Sequence, residues 1–360
     1  GGLFVNLAAP LIFRGYWELH LGVLLCWLLA CALLILDRQS VFHRRWVWLV
    51  APLFLLGNGG TGFFFYRQIH KTVGGALEVQ RNFYGVFRLR LISAGDPPAD
   101  AVSLNHGMTA HGFQFIEAEK RGIPTSYYGP KSGIGLAITH APEVLGHNPS
   151  PSGLRVGVIG LGAGTLAAYG KSRDYYRFYE INPDIIDLAL GEGDYFTYLR
   201  DTQAVFDIVP GDARLSLEHE LAQGQPQNFD ILAVDAFSSD SIPVHLLTAE
   251  AFGVYLRHLK PEGVLAVHIS NRYLDLSPLV QELAGLYQLE VARVASGSND
   301  EGSYAAVWML LSKNRSFFQI PEIQSRKDNS TQDGKEIRVW TDDYSNLLSV
   351  VRMNVFFNFR

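Results

Sequence analysis

The rhythm of hydrophobic and polar positions changes along this chain. From Leu21 to Leu36 the sequence LGVLLCWLLACALLIL carries no charge. Extended back to Tyr16, it reaches about the 20 residues that a membrane-spanning helix needs, with Glu18 and His20 near the interface. Asp37 to Arg45 is a polar break. Trp46 to Tyr66 is a second apolar stretch, weakened by Pro52 and a glycine-rich centre, with Trp and Tyr at its ends as suits a membrane interface. Residues 3–13 look like the tail of another apolar element. A pair of buried core helices is the alternative, but so long an uncharged run seldom serves a soluble core.

Residues 76–95 alternate apolar and polar, with aromatic and β-branched side chains, and read as two strands with a turn near Asn82–Gly85. Residues 101–116 predict another hairpin, so a small antiparallel β-domain is expected here. From Leu154 strand and helix alternate. Strands are predicted at 155–160, 177–181, 206–209, 231–235, 264–269, 289–294 and 305–311, with helices between them such as Thr248–Leu259 and Leu276–Leu286. This alternation implies an α/β fold with a mainly parallel sheet and helices on both faces. Lys313–Lys335 is polar and reads as a loop or tail. The expected divisions are a membrane segment at 1–70, a small β-domain with its connection at 71–150, an α/β domain at 151–315 and a tail at 316–360.

Composition narrows the partners. Hydrophobic residues make up 48% and charged residues 18% of the 360, and the formal net charge is −5, so no basic field exists to draw in nucleic acid. The two cysteines, Cys26 and Cys31, both lie in the first apolar run. The remaining sequence offers neither a thiol nucleophile nor a zinc knuckle. His106 and His111, five apart on a hairpin without a nearby carboxylate, are poor metal partners, and no metal is expected. The chain opens Gly1-Gly2-Leu3 without Met and reads as a fragment or a processed chain. Arg38, Arg44 and Arg45 would hold their loop in the cytoplasm, and Arg67, Lys71 and Arg81 would do the same for the following segment, so charge alone leaves topology open.

The candidate chemistry lies in the α/β part. Gly160, Gly162 and Gly164 follow the first strand, in a turn where glycine lets the backbone approach a ligand and a helix start offers free N–H groups. A tight strand–helix turn is the plainer reading. Glu180 ends the next strand, where a carboxylate can accept from both ribose hydroxyls; this spacing suits NAD and an adenosyl cofactor equally. Asp212 and Ala213 follow the third strand, where an acidic turn can accept from an adenine amino group, although Asp212 is also well placed to cap the helix after it. Asp235 falls at the carboxyl end of the 231–235 strand, on the crevice side of the sheet, and can act as a general base or anchor a cation. Asp240 lies in the loop beyond and either faces the same ligand or is solvated. Tyr127, Tyr128 and Gly129 belong to a possible pocket wall.

These residues, in order, resemble the spermidine synthase (polyamine aminopropyltransferase) family. The similarity runs from about Arg81 to Leu311 and includes RNFYGVFRL, LNHGMTAHGFQ, YYGPKSGIGLAI, VIGLGAGTLAAY, YEINP, GDARLSLE, FDILAVDAFSSDSIP and LKPEGVLAVHISN. The apolar N-terminus and the late WTDDYSNLL resemble bacterial proteins that fuse such a domain to transmembrane helices. The resemblance implies a β-domain followed by a class I methyltransferase-like α/β domain. It implies transfer of an aminopropyl group from decarboxylated S-adenosylmethionine to an amine acceptor, with ribose on Glu180, adenine near Asp212 and Ala213, and Asp235 as general base. It places the chain in the bacterial inner membrane with a cytoplasmic catalytic domain, and as a possible homodimer.

The sequence also departs from the family pattern. Ala163 stands where an Asp usually holds the donor's amine, Tyr128-Gly129-Pro130 where Tyr-His-Glu usually anchors the diamine, and His111 where Gln is usual. A buried ammonium without a counter-charge is costly. Two alternatives therefore stay open: another reaction of S-adenosylmethionine, by methyl transfer or sulfonium cleavage, and a non-catalytic nucleoside-sensing domain on a membrane protein.

Overall fold

The computed structural model describes residues 2–36, 47–95, 98–107, 109–145, 153–236, 243–298, 301–327 and 337–352. The chain divides into two compact units, Gly1–Leu91 and Ile92–Arg360.

In the first unit, helices α1 (Trp17–Leu36) and α2 (Val47–Val73) precede an antiparallel pair, β1 (Ala76–Asn82) and β2 (Gly85–Ala94), whose last residues open the second unit. The turn between the strands forms because the Asn82 side chain accepts from the Tyr84 amide at 2.8 Å and Gly85 takes a positive φ of 139°. Arg81 on β1 reaches Glu18 at 2.7 Å with both side chains nearly buried, and its guanidinium lies 4.8 Å from the Tyr16 ring centroid. The hydrogen bond from Arg81 holds the Glu18 carboxyl below its usual range, against the opposing effect of burial.

Among the described residues no helix is long and apolar enough to cross a membrane. This overturns the expected transmembrane helices, and with them the placement in a bacterial inner membrane. In α1 the uncharged run is Leu21–Leu36. At 1.5 Å per residue that is about 24 Å, against a hydrocarbon core of about 30 Å. Ahead of it, Glu18 is committed to Arg81. Helix α2 runs unbroken through Pro52, but its apolar sequence is diluted at the centre by Gly57-Asn58-Gly59-Gly60. Leu25, Leu29 and Leu33 of α1 are exposed in the chain taken alone.

The second unit opens with the antiparallel pair β3 (Ala99–His106) and β4 (Thr109–Phe115), followed by helix α3 (Gly133–Val144). A seven-stranded sheet comes next, formed by β5 (Arg155–Ile159), β6 (Tyr175–Glu180), β7 (Val205–Pro210), β8 (Phe229–Val234), β9 (Leu259–His268), β10 (Glu290–Ser296) and β11 (Ala306–Ser312). Helices α4 (Pro183–Ala189), α5 (Ala213–Ala222), α6 (Ala249–His258) and α7 (Ser277–Leu286) lie between the strands. The strand order is β10-β11-β9-β8-β5-β6-β7, parallel except for β11, which runs against both neighbours. This is the Rossmann-like sheet of class I methyltransferases. Its central strands β5 and β8 are apolar and buried almost throughout, as strands covered on both faces must be. The order reverses between β5 and β8, and ligands of open α/β sheets bind outside the carboxyl ends of strands at such a switch point.

Two expectations change. The glycine turn after β5 leads into a 3-10 turn, Thr165–Tyr169, rather than an α-helix, because only ten residues separate Gly164 from β6 at Tyr175. The segment read as a polar tail contributes core: Phe317, Ile323, Ile337 and Trp340 are buried, and the Trp340 carbonyl accepts from the Ala249 amide at 2.8 Å. Asp342 takes Arg214 at 2.6 Å and Thr248 at 2.9 Å, tying this segment to α5 and α6.

Candidate active site

The carboxyl ends of β5, β6, β8 and β9 carry the candidate residues. Val234 of β8 pairs with Val267 of β9 in parallel register, so Asp235 and His268 come next on neighbouring strands. His268 Nδ1 lies 2.6 Å from Asp235 Oδ1. The Tyr128 hydroxyl donates to Asp235 Oδ2, so both carboxylate oxygens are engaged. His268 Nε2 lies 2.8 Å from Ser270 Oγ, and that oxygen accepts from the Val307 amide at 2.7 Å. The network closes with the hydroxyl proton of Ser270 on Nε2 and the imidazole proton on Nδ1, facing the carboxylate; this tautomer is assigned from the partners.

Aromatic faces hold the imidazole. The Tyr127 ring stacks on His268 at 4.5 Å between centroids, and Trp308 of β11 stacks on it at 4.7 Å. Trp308 Nε1 donates to the Tyr127 carbonyl at 3.1 Å. Helix α3 presses close behind, since a Cβ at Gly133 would meet Trp308 Cβ at 2.5 Å. Burial and then the neighbouring Asp235 charge raise both Tyr127 and Tyr128 far above the usual phenol range, so Tyr128 remains a donor.

His111, at the crevice end of β4, is pushed down to about 4 by burial, against the opposing pull of Asp235. Its Nε2 is buried and has no hydrogen-bond partner among the described residues. A neutral imidazole with an unspent nitrogen is a group that a ligand can satisfy. His111, Tyr127, His268, Ser270, Arg272 and Arg352 line a cleft of about 410 Å³.

On the nucleoside side, Gly160, Gly162 and Gly164 have φ of 95°, 54° and 79°. A Cβ on Gly160 would come within 2.3 Å of the Asp235 carbonyl oxygen, and one on Gly162 within 2.7 Å of the His111 carbonyl. The turn therefore touches the backbones of both candidate reactive residues. Glu180 meets the same turn: Oε2 accepts from the Leu161 amide and Oε1 from the Asn182 amide, each at 2.9 Å. Burial raises the Glu180 carboxyl above its usual range, partly offset by these amides.

Asp212 is not joined to that group. It caps α5 by accepting from the Leu215 amide at 3.0 Å, and it lies 2.9 Å from His245 Nε2. Ala213 is buried behind it, while a Cβ on the adjoining Gly211 would meet open space. The sequence-predicted residues thus come together as Asp235 with Tyr128, and Glu180 with the glycine turn, while His111 lines the cleft. Asp240 lies outside the described residues. Ala163 is wholly buried, and a Cβ on Gly129 would fall 1.9 Å from Ser303 Oγ, so neither position can offer a carboxylate. Among the described residues no three His, Cys, Asp or Glu side chains come together as a metal site.

Sequence reasoning missed His268, Ser270, Arg272 and Arg352. One signal was present: the apolar run VLAVH ends in a histidine at a strand's carboxyl end, in the crevice.

No family profile matches the chain. Over 166 residues it is 26% identical to a probable polyamine aminopropyl transferase of Bifidobacterium longum (strain NCC 2705), covering 44% of this chain and 31% of that protein. The resemblance to the spermidine synthase family thus has a curated relative behind it. The chain spans about a third of that relative's length. Among solved structures it is similar to a probable spermidine synthase from Corynebacterium glutamicum ATCC 13032, at 19% identity and TM-score 0.45, covering 67% of this chain and 80% of that one. It is also similar to spermidine synthase from Thermotoga maritima, at 15% identity and TM-score 0.44, covering 78% and 86%.

Proposed function

We propose that the second unit binds an S-adenosyl-type sulfonium and transfers its aminopropyl group to an amine, as a member of the spermidine synthase family. The observation that carries this reading is the contact between the Gly160 turn and Asp235. A nucleoside seated on the glycine turn, with ribose on Glu180, has its sulfonium beside a buried carboxylate. The neutral acceptor nitrogen attacks the carbon next to sulfur; a C–N bond forms, the C–S bond breaks, and the electron pair leaves on a neutral thioether. The proton shed by the nitrogen passes to the Asp235–His268 pair, whose Tyr128 and Ser270 hydrogen bonds fix its orientation. Glu180 can accept ribose hydroxyls with lone pairs the loop amides leave unused. The relative's name, polyamine aminopropyl transferase, supports the same chemistry.

A second reading is favoured by Ala163, which removes a carboxylate suited to the aminopropyl amine: another reaction of S-adenosylmethionine, by methyl transfer or sulfonium cleavage. Incubating the purified chain with decarboxylated or intact S-adenosylmethionine and a panel of amines separates them. Methylthioadenosine that appears only with the decarboxylated donor and an amine supports aminopropyl transfer. S-adenosylhomocysteine, or methylthioadenosine formed without an amine, supports the second reading, and binding without turnover rejects both.

A further inference from the structure

The cleft beside His268 is lined for an anion rather than for a diamine. Arg272 and Arg352 stand on its wall together with His111 and His268, and no Asp or Glu is among the described residues that line it. Neither arginine has an ion-pair partner among the described residues; the Arg272 guanidinium lies 5.6 Å from the Tyr273 ring centroid. Basic side chains are crowded there. Arg293 is held below its usual range by burial and, against the pull of Asp275, by the charge of Arg352. Asp235, behind His268, has both oxygens engaged by Tyr128 and His268. Gly129, pressed on Ser303, can carry no anchor. A dicationic acceptor entering this cleft would give up water for two arginines, with no anion among the described lining residues for its distal ammonium.

We infer that the acceptor is an amine that also carries a carboxylate: Arg272 and Arg352 hold the carboxylate and the amine faces His268. This rests on the nucleoside reading above. Guanidinium groups bind carboxylates through paired N–H donors, which fixes the direction of the molecule as well as its charge. With the anionic end held at the arginines, the amine end points to the imidazole, and the unpaired Nε2 of His111 is left for a hydrogen bond with it. In the reaction the acceptor nitrogen forms its bond to the aminopropyl carbon, the carbon–sulfur pair departs on sulfur, and the nitrogen's proton passes to Ser270 Oγ as the Ser270 hydroxyl proton moves onto His268 Nε2. The acceptor's carboxylate stays ionised throughout.

Two probes matched in chain length test this, 4-aminobutanoate and 1,4-diaminobutane, which differ only at one end. Methylthioadenosine binding to the full chain is measured first by calorimetry. Each amine is then titrated with and without it. The expected result is that 4-aminobutanoate binds about tenfold more tightly than the diamine, and that the double variant Arg272→Gln, Arg352→Gln loses about tenfold of that affinity while methylthioadenosine binding is unchanged. Diamine binding as tight or tighter, absence of 4-aminobutanoate binding under both conditions, or full affinity in a double variant that melts like the wild type each overturns the inference. If methylthioadenosine fails to bind while 4-aminobutanoate still depends on the arginines, the nucleoside reading falls and the anion assignment of the cleft stands.

Discussion

His268 sets its Nδ1 2.6 Å from Asp235 Oδ1, and it does so through strand register rather than sequence proximity. The imidazole is clamped between Tyr127 and Trp308, so the pair has little freedom to separate. A base oriented by a carboxylate acts as one unit, and removing either member costs most of what removing both does. Asp235→Asn and His268→Gln are therefore each expected to lower turnover by about 10² to 10⁴-fold, with a double variant little worse. Nucleoside affinity, read by calorimetry, should hold in all three. Unchanged turnover in Asp235→Asn would remove that residue from the mechanism.

His111 should stay neutral far into the acid range. Its folded-state value near 4 lies below the ordinary imidazole value of about 6.5, chiefly through burial. Between these values the unfolded chain takes a proton that the folded chain refuses. The stability His111 contributes is thus complete above about pH 6.5 and drains away as pH falls toward 4. Urea midpoints measured across that window should fall less steeply in His111→Asn than in the wild type. Ring-labelled histidine spectra should show one imidazole still unprotonated at pH 5. A His111 that titrates near 6.5 contradicts its burial.

Much of this site was legible before folding, for identifiable reasons. β5 and β8 announce themselves because strands covered on both faces must be apolar throughout. Glu180 and Asp235 could be placed because strand ends in a parallel sheet gather at one edge. His268 was hidden because its partnership depends on how β9 aligns with β8 across a separation of 33 positions, a long-range fact no local pattern encodes. Arg352 was hidden for the same reason: it joins Arg272 only because the Arg352 amide returns to the Tyr273 carbonyl at 2.8 Å. Asp212 shows the limit from the other side. Capping and adenine recognition called for the same residue, and the structure displays the cap. The long apolar N-terminal run was read by charge and length alone, which ignored the commitment of Glu18 to Arg81.

Gly160 offers a test of the contact on which the nucleoside reading depends. Its φ of 95° is unfavourable for any residue with a side chain, and a Cβ would meet the Asp235 carbonyl oxygen at 2.3 Å. Gly160→Ala should cost about 1–3 kcal/mol of stability from the backbone alone. It should also displace Asp235, so that turnover falls even in protein that remains folded. Chemical denaturation gives the first quantity, and activity of the folded fraction gives the second. Wild-type stability in Gly160→Ala would show that the turn and Asp235 are not in contact.

Glu180 links stability to pH in the opposite direction from His111. Its carboxyl is raised above the usual 4.5, chiefly by burial, so the folded chain keeps a proton that the unfolded chain has already lost. The associated stability is present below the unfolded value and declines as pH climbs through the folded one. Glu180→Gln removes the titrating group while keeping one oxygen for the Leu161 or Asn182 amide. The wild type should lose stability relative to Glu180→Gln as pH rises from 4 to neutrality, whatever constant offset the lost hydrogen bond adds. Nucleoside binding should move the other way: Gln accepts fewer hydrogen bonds than a carboxylate, so methylthioadenosine should bind Glu180→Gln about tenfold more weakly at neutral pH. Denaturation curves and calorimetry on the same preparations read both. A pH-independent gap between the two proteins would mean that the Glu180 carboxyl is solvated rather than buried against the glycine turn.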